Sequence, residues 1–131
     1  QSLQVERRLI LSSKDIYELM QPLIGALRNE EFWVVAINNA SRIIKKVQVS
    51  VGGIDQTSAD VRLIMRVLID TGASQFAAVH NHPSGNQKPS NDDRKLTEQL
   101  KKAAEIFNIR MMDHVIITDG VYYSFCDEGM I

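Results

Sequence analysis

Within fourteen residues the chain places His80-Asn81-His82-Pro83-Ser84-Gly85 and Ser90-Asn91-Asp92-Asp93, bringing together two imidazoles, hydroxyls and carboxylates. Two histidines and one carboxylate are the ligand set of a catalytic zinc site, whose fourth tetrahedral position holds water; structural zinc is usually closed by four protein ligands rich in cysteine. The single cysteine, Cys126, excludes a closed thiolate site. In an extended segment residues two apart point the same way, so His80 and His82 can face one ion while Asn81 points elsewhere. A carboxylate from the first turn of a helix beginning at Ser90 would then be the third ligand. Taken alone, Ser90-x-x-Asp93 is close to an N-terminal capping box, and a histidine near a strand end is usually packed or solvated. The conjunction favours metal, because capping needs no upstream histidine pair and core packing does not need two ionisable rings at a loop mouth.

The elements that must hold these groups follow from periodicity. Ser12 or Ser13 can cap a first helix in which Ile16, Leu19, Met20, Leu23, Ile24 and Leu27 recur at spacings of three and four. Phe32 to Ile37 and Arg42 to Val51 are rich in β-branched and apolar residues around Asn38-Asn39, and read as two strands of a hairpin. Gly52-Gly53 ends the second. A second helix carries Val61, Ile64, Met65, Leu68 and Ile69 and stops before Gly72. Gln75 to Val79 reads as a strand delivering His80, and the turn residues Pro83, Ser84, Gly85, Asn86 and Pro89 lead to a third helix with Leu96, Leu100, Ala103, Ala104 and Phe107. Met111 to Thr118 returns as a strand, and Asp119-Gly120 is a hairpin turn into Val121 to Phe125. This order predicts an α/β fold of three layers, a mixed β-sheet flanked by helices.

A length of 131 residues sets an expectation of a single domain over 1–131, too short for a barrel hydrolase. With 44% hydrophobic and 24% charged residues the composition is that of a globular protein, and no apolar run approaches the ~20 residues needed to cross a bilayer. The opening Gln1-Ser2-Leu3-Gln4 lacks the order of a secretion signal, and one cysteine offers no disulfide framework, so a reducing cytoplasm is the expected compartment. A first residue other than methionine is expected of a piece of a longer chain. The net charge of −1 and a pI near 6.3 argue against a protein that grips nucleic acid mainly through phosphates. Lys88, Arg94, Lys95, Lys101 and Lys102 could form a local basic strip for weak nucleic-acid contact, although a solvated helix face is the simpler reading.

His80-x-His82 followed after seven residues by Ser90-x-x-Asp93 resembles the signature of the JAB/MPN (JAMM) metalloprotease domain, and the fuller string His-Asn-His-Pro-Ser-Gly resembles the RadC family more narrowly. Glu30-x-Phe32-x-Val34, Asp113-His114 and the closing Ser124-Phe125 with Glu128-Gly129-Met130-Ile131 support the same resemblance across nearly the whole chain. It implies a cytidine-deaminase-like three-layer architecture and a Zn2+ cofactor held by His80, His82 and Asp93. It also implies Ser90 beside the catalytic water and an upstream glutamate as proton shuttle. Glu30 fits the family spacing best; Glu31 would point to the opposite side of its strand, and either could be ordinary exposed charge. The implied activity is hydrolysis of a peptide or isopeptide bond in a peptide or protein substrate, with DNA repair attached to the family's name. The resemblance implies a helix-hairpin-helix region, common in RadC-like proteins, that would lie outside these residues, and the chain departs from it where Val61-Arg62-Leu63 stands in place of the usual Pro-Arg-Glu.

Two residues have a plainer alternative. His114 can serve as outer partner to a ligating histidine, since such ligands usually need one, but a packed strand histidine is the simpler expectation. Cys126 reads as a buried small hydrophobe. The zinc-deaminase pairing of His-x-Glu with Pro-Cys-x-x-Cys and the helical His-Glu-x-x-His are both absent. The competing function is a non-catalytic DNA-repair or mobile-element binding module with a metal-stabilised site.

Overall fold

The computed structural model describes residues 8–51 and 60–131. The elements run α1 (Ser13–Ile24), β1 (Glu31–Ile37), β2 (Ile43–Val51), α2 (Val61–Thr71), β3 (Gln75–Asn81), α3 (Asn91–Ile106), β4 (Arg110–Ile117) and β5 (Tyr122–Ser124). Ser12 is the cap of α1, sharing a capping box with Asp15. Gly72 closes α2 in the left-handed conformation at φ 69°, which a residue with a side chain would adopt at a cost. The Gly52-Gly53 break lies outside the described residues.

The five strands form one mixed sheet in the order β2-β1-β3-β4-β5. β1 pairs antiparallel with β2, as the hairpin reading expects, and antiparallel with β3 on its other side. β3 and β4 are parallel, as a pair joined through a helix must be to return in the same direction. β4 and β5 pair antiparallel across the Asp119-Gly120 turn.

Strand alternation sends successive side chains to opposite faces, and each face has its own core. Val35, Ala77, Val79 and Val115 pack with Ile16, Met20 and Ile24 of α1. Val34, Phe76 and Ala78 pack with Ile64 and Leu68 of α2 and with Leu96 and Leu100 of α3. The expected α/β fold of three layers is therefore the observed one.

At the margins of the helical stripes the pattern overreaches: Leu23, Ile69 and Phe107 are exposed, Phe107 because the helix ends there as its C-cap. The expectation of a buried Cys126 fails, for the cysteine is exposed in the turn after β5. There it lines a cavity of about 440 Å³ with Arg110, Met112 and Ile131.

Candidate metal centre

β3 runs into the site with its period intact. Phe76, Ala78 and His80 share the face toward α2 and α3, and His82 continues that parity one step past the strand. Gly85, at φ +86°, turns the following loop, and its amide donates to the His82 carbonyl at 3.0 Å. The loop ends at Ser90, the cap of α3. Both halves of the capping box form: Ser90 Oγ accepts from the Asp93 amide at 3.0 Å, and Asp93 Oδ2 accepts from the Ser90 amide at 2.8 Å. Capping and convergence on the histidines are thus the same geometry, not alternatives. A carboxylate in the first turn is also favoured by the positive end of the helix dipole.

His80 Nε2 lies 3.2 Å from Asp93 Oδ1, His82 Nε2 lies 3.3 Å from Asp93 Oδ2, and the two Nε2 atoms are 3.1 Å apart. The three residues form a group that could hold a metal ion, their candidate ligand atoms all within 4.8 Å of one another. His80 and Asp93 are fully buried and His82 is partly exposed, so the group is open on the His82 side.

Whether a cation fits can be judged from the polar atoms themselves. Asp93 Oδ1 is buried with His80 Nε2 its neighbour at 3.2 Å, so its charge is met only when that ring gives it a proton or a cation stands between the two. His82 Nδ1 lies 2.7 Å from the Asn86 carbonyl, which can only accept, so Nδ1 carries a proton and Nε2 of the neutral ring presents a lone pair to the group. A lone pair directed at a buried carboxylate is the donor set a divalent cation satisfies.

Burial pushes the Asp93 pKa upward, yet hydrogen bonding with His80 and His82, the positive character of His80 and the Ser90 amide together hold it well below the usual carboxylate range. Burial lowers the His82 pKa, and the hydrogen bonds to Asp93 and Asn86 with the negative charges of Asp93 and Glu30 outweigh it, leaving the value raised.

The two candidate shuttles are separated by strand parity. Glu31 belongs with Trp33, whose indole N–H donates to Glu31 Oε1 at 3.0 Å. Glu30 instead lines a cleft of about 580 Å³ with Arg28, His82, Ser84, Lys88 and Ser90. The structure thus places Glu30, and not Glu31, in the cleft beside His82, together with Ser90.

Two residues complete the surroundings. Asn81 does point away from the metal group, as expected, but it is buried and holds the segment bearing Glu30 from both sides. Its Oδ1 accepts from the Glu31 amide at 2.7 Å, and its Nδ2 donates to the Asn29 carbonyl at 3.0 Å. Sequence reasoning gave Asn81 no task. The available signal was an amide side chain at the end of an apolar strand, which must find partners when buried.

His114 is buried on β4, as the simpler expectation had it, and is also the outer partner of His80 that the alternative foresaw: the two rings meet at 2.8 Å through His80 Nδ1 and His114 Nε2. A register shift in β4 causes this. Met111 and Asp113 stand opposite the consecutive residues Phe76 and Ala77, so Met112 is extra, and His114 comes to lie beside Ala78 on the face that carries His80.

Comparison with known proteins gives the chain its family. The family model described as the RadC-like JAB domain matches residues 10–130. A UPF0758 protein of Flavobacterium johnsoniae is 48% identical over 92% of this chain and 53% of its own length. One of Porphyromonas gingivalis is 43% identical over 95% of this chain and 56% of its own length. Another, of Methanosarcina mazei, is 34% identical over 95% and 55%. The chain spans about half the length of the curated relatives it matches. By a match over nearly its whole length, and by identities that persist into an archaeon, the chain belongs to the RadC-like JAB domain family.

Proposed function

We propose that this chain is a zinc-dependent hydrolase domain that cleaves an amide bond, peptide or isopeptide, in a peptide or protein substrate. His80 and His82 would hold the ion through Nε2, and Asp93 through its carboxylate. The observation that carries the reading is the buried Asp93 carboxylate, whose Oδ1 lies 3.2 Å from His80 Nε2 and Oδ2 3.3 Å from His82 Nε2, beside an open cleft. A zinc ion bound there would supply Lewis acidity, lowering the pKa of water to roughly 7 and polarising a carbonyl.

The remaining work falls to side chains. Glu30 lines the cleft next to His82, where its carboxylate can take a proton from the attacking water and return it to the leaving nitrogen. Ser90 Oγ accepts the Asp93 amide, which leaves the hydroxyl proton available to a developing oxyanion. Asn81 keeps the Glu30 segment against the end of β3, so the proton carrier does not depend on a loose loop. The DNA-repair association implied by the family's name would concern proteins of the full length of the relatives, of which this chain spans about half.

The test joins metal content to turnover on isopeptide-linked and fluorogenic peptide substrates. His80→Ala and Asp93→Ala should lose zinc. Glu30→Gln should keep it while turnover falls by roughly 10²–10⁴-fold, the usual range for a general acid–base group. Undiminished turnover in Glu30→Gln would remove Glu30 from the role.

A further inference from the structure

Behind His80 a buried chain of contacts continues beyond His114. Thr97 Oγ1 lies 2.6 Å from His114 Nδ1 and 2.8 Å from the Asp93 carbonyl oxygen, and all three side chains, of Thr97, His114 and His80, are buried. Since the contact between His114 and His80 is 2.8 Å, one hydroxyl stands at the far end of a line that leads to the metal group.

The hydroxyl has a single proton and two places to send it. Sent to the Asp93 carbonyl, which can only accept, it leaves the Thr97 oxygen to accept from His114 Nδ1–H. His114 Nε2 then accepts from His80 Nδ1–H, and His80 Nε2 keeps its lone pair toward Asp93 Oδ1. Sent to His114 Nδ1 instead, the order reverses and ends with a proton on His80 Nε2, which closes that atom to a cation. The carbonyl one helical turn before Thr97 makes the first order available, and it belongs to the residue that supplies the carboxylate.

We infer that Thr97 is a positioning residue: by donating to the Asp93 carbonyl and accepting from His114, it selects the proton arrangement in which His80 presents Nε2 as a metal ligand. The inference rests on the metal reading above and adds the residue that sets the ligand's tautomer. Thr97→Val keeps the shape and removes the hydroxyl, leaving His114 Nδ1–H buried without an acceptor and favouring the arrangement that blocks His80. Losses of roughly 10–100-fold in metal affinity are typical when such outer partners are removed.

Zinc affinity should be measured by competition with a chromophoric chelator, at one pH, for the wild type, Thr97→Val and Thr97→Ser, with the melting of each metal-free form as a folding control. The expected result is a 10–100-fold weakening in Thr97→Val and recovery to within a few-fold in Thr97→Ser. Nitrogen-15 NMR of the zinc-loaded wild type gives a direct reading that needs no variant: His114 should carry its proton on Nδ1. Wild-type affinity in a folded Thr97→Val, or a His114 proton on Nε2, overturns the inference while leaving the metal reading intact. A wild type that binds no zinc overturns both.

Discussion

At the scale of the residue, the environment of each imidazole decides what it can do. His114 is wholly buried, and burial first, then the positive character of His80, holds its pKa well below the ordinary 6.5. An unfolded chain therefore takes up a proton near pH 6.5 that the folded chain refuses. The stabilising contribution is present above that pH and is lost as pH falls. His82, whose folded pKa is raised, binds its proton more fully in the folded state near pH 6.5 and opposes this trend there, the opposition fading as pH falls further. Urea unfolding of the metal-free protein between pH 6.5 and 5 should show stability falling with a slope that grows toward about 1.4 kcal/mol per pH unit, the limit for one proton; a flat profile would contradict a neutral buried His114. The ligand trio was legible at this scale, because residue type and spacing carry it. The task of His114 was open as one of two options, and sequence could not choose it over plain packing: its side of the sheet depends on the extra residue Met112, and a one-residue shift sends every later side chain to the other face. Asn81 escaped for a related reason, since its partners, the Asn29 carbonyl and the Glu31 amide, are backbone groups about fifty positions away.

At the scale of the element, the start of α3 combines structural and chemical work. Ser90 caps the helix while Asp93, three residues on, returns the bond and faces the histidines. Ser90→Ala should therefore cost the metal-free protein about 1 kcal/mol of stability, with Ser90→Thr recovering part of it, as measured by thermal or urea unfolding. An unchanged stability would mean that the helix start is fixed by the flanking loop alone. Helix and strand positions were readable because their apolar periods are clear, down to Ser12 as a cap and the turn at Asp119-Gly120. Where the reading overreached, at Leu23, Ile69 and Phe107, the residues sit at the edge of an apolar stripe or at a helix end, where periodicity does not distinguish half-buried from exposed.

At the scale of the whole molecule, the site lies where the parallel pair β3 and β4 is joined through α3: ligands come from the carboxyl end of a strand and the first turn of the helix that follows it. Open α/β sheets favour that place, because loops there can carry function on a rigid frame. Helices on both faces were foreseeable from the order of elements, whereas the placement of β1 between β2 and β3 was not, since strand order depends on contacts far apart in sequence. Among the described residues no helix is long and apolar enough to cross a membrane. The cations of α3 share that helix with Asp92, Glu98 and Glu105, which suits a solvated face better than a phosphate-binding strip. The account as a whole depends on one ion in one place. Crystals of the zinc-loaded protein should give a single anomalous peak at the zinc edge about 2.0–2.2 Å from His80 Nε2, His82 Nε2 and an Asp93 oxygen, with no protein atom in the fourth position. No peak there under zinc-replete conditions, or a fourth protein ligand closing the site, would contradict it.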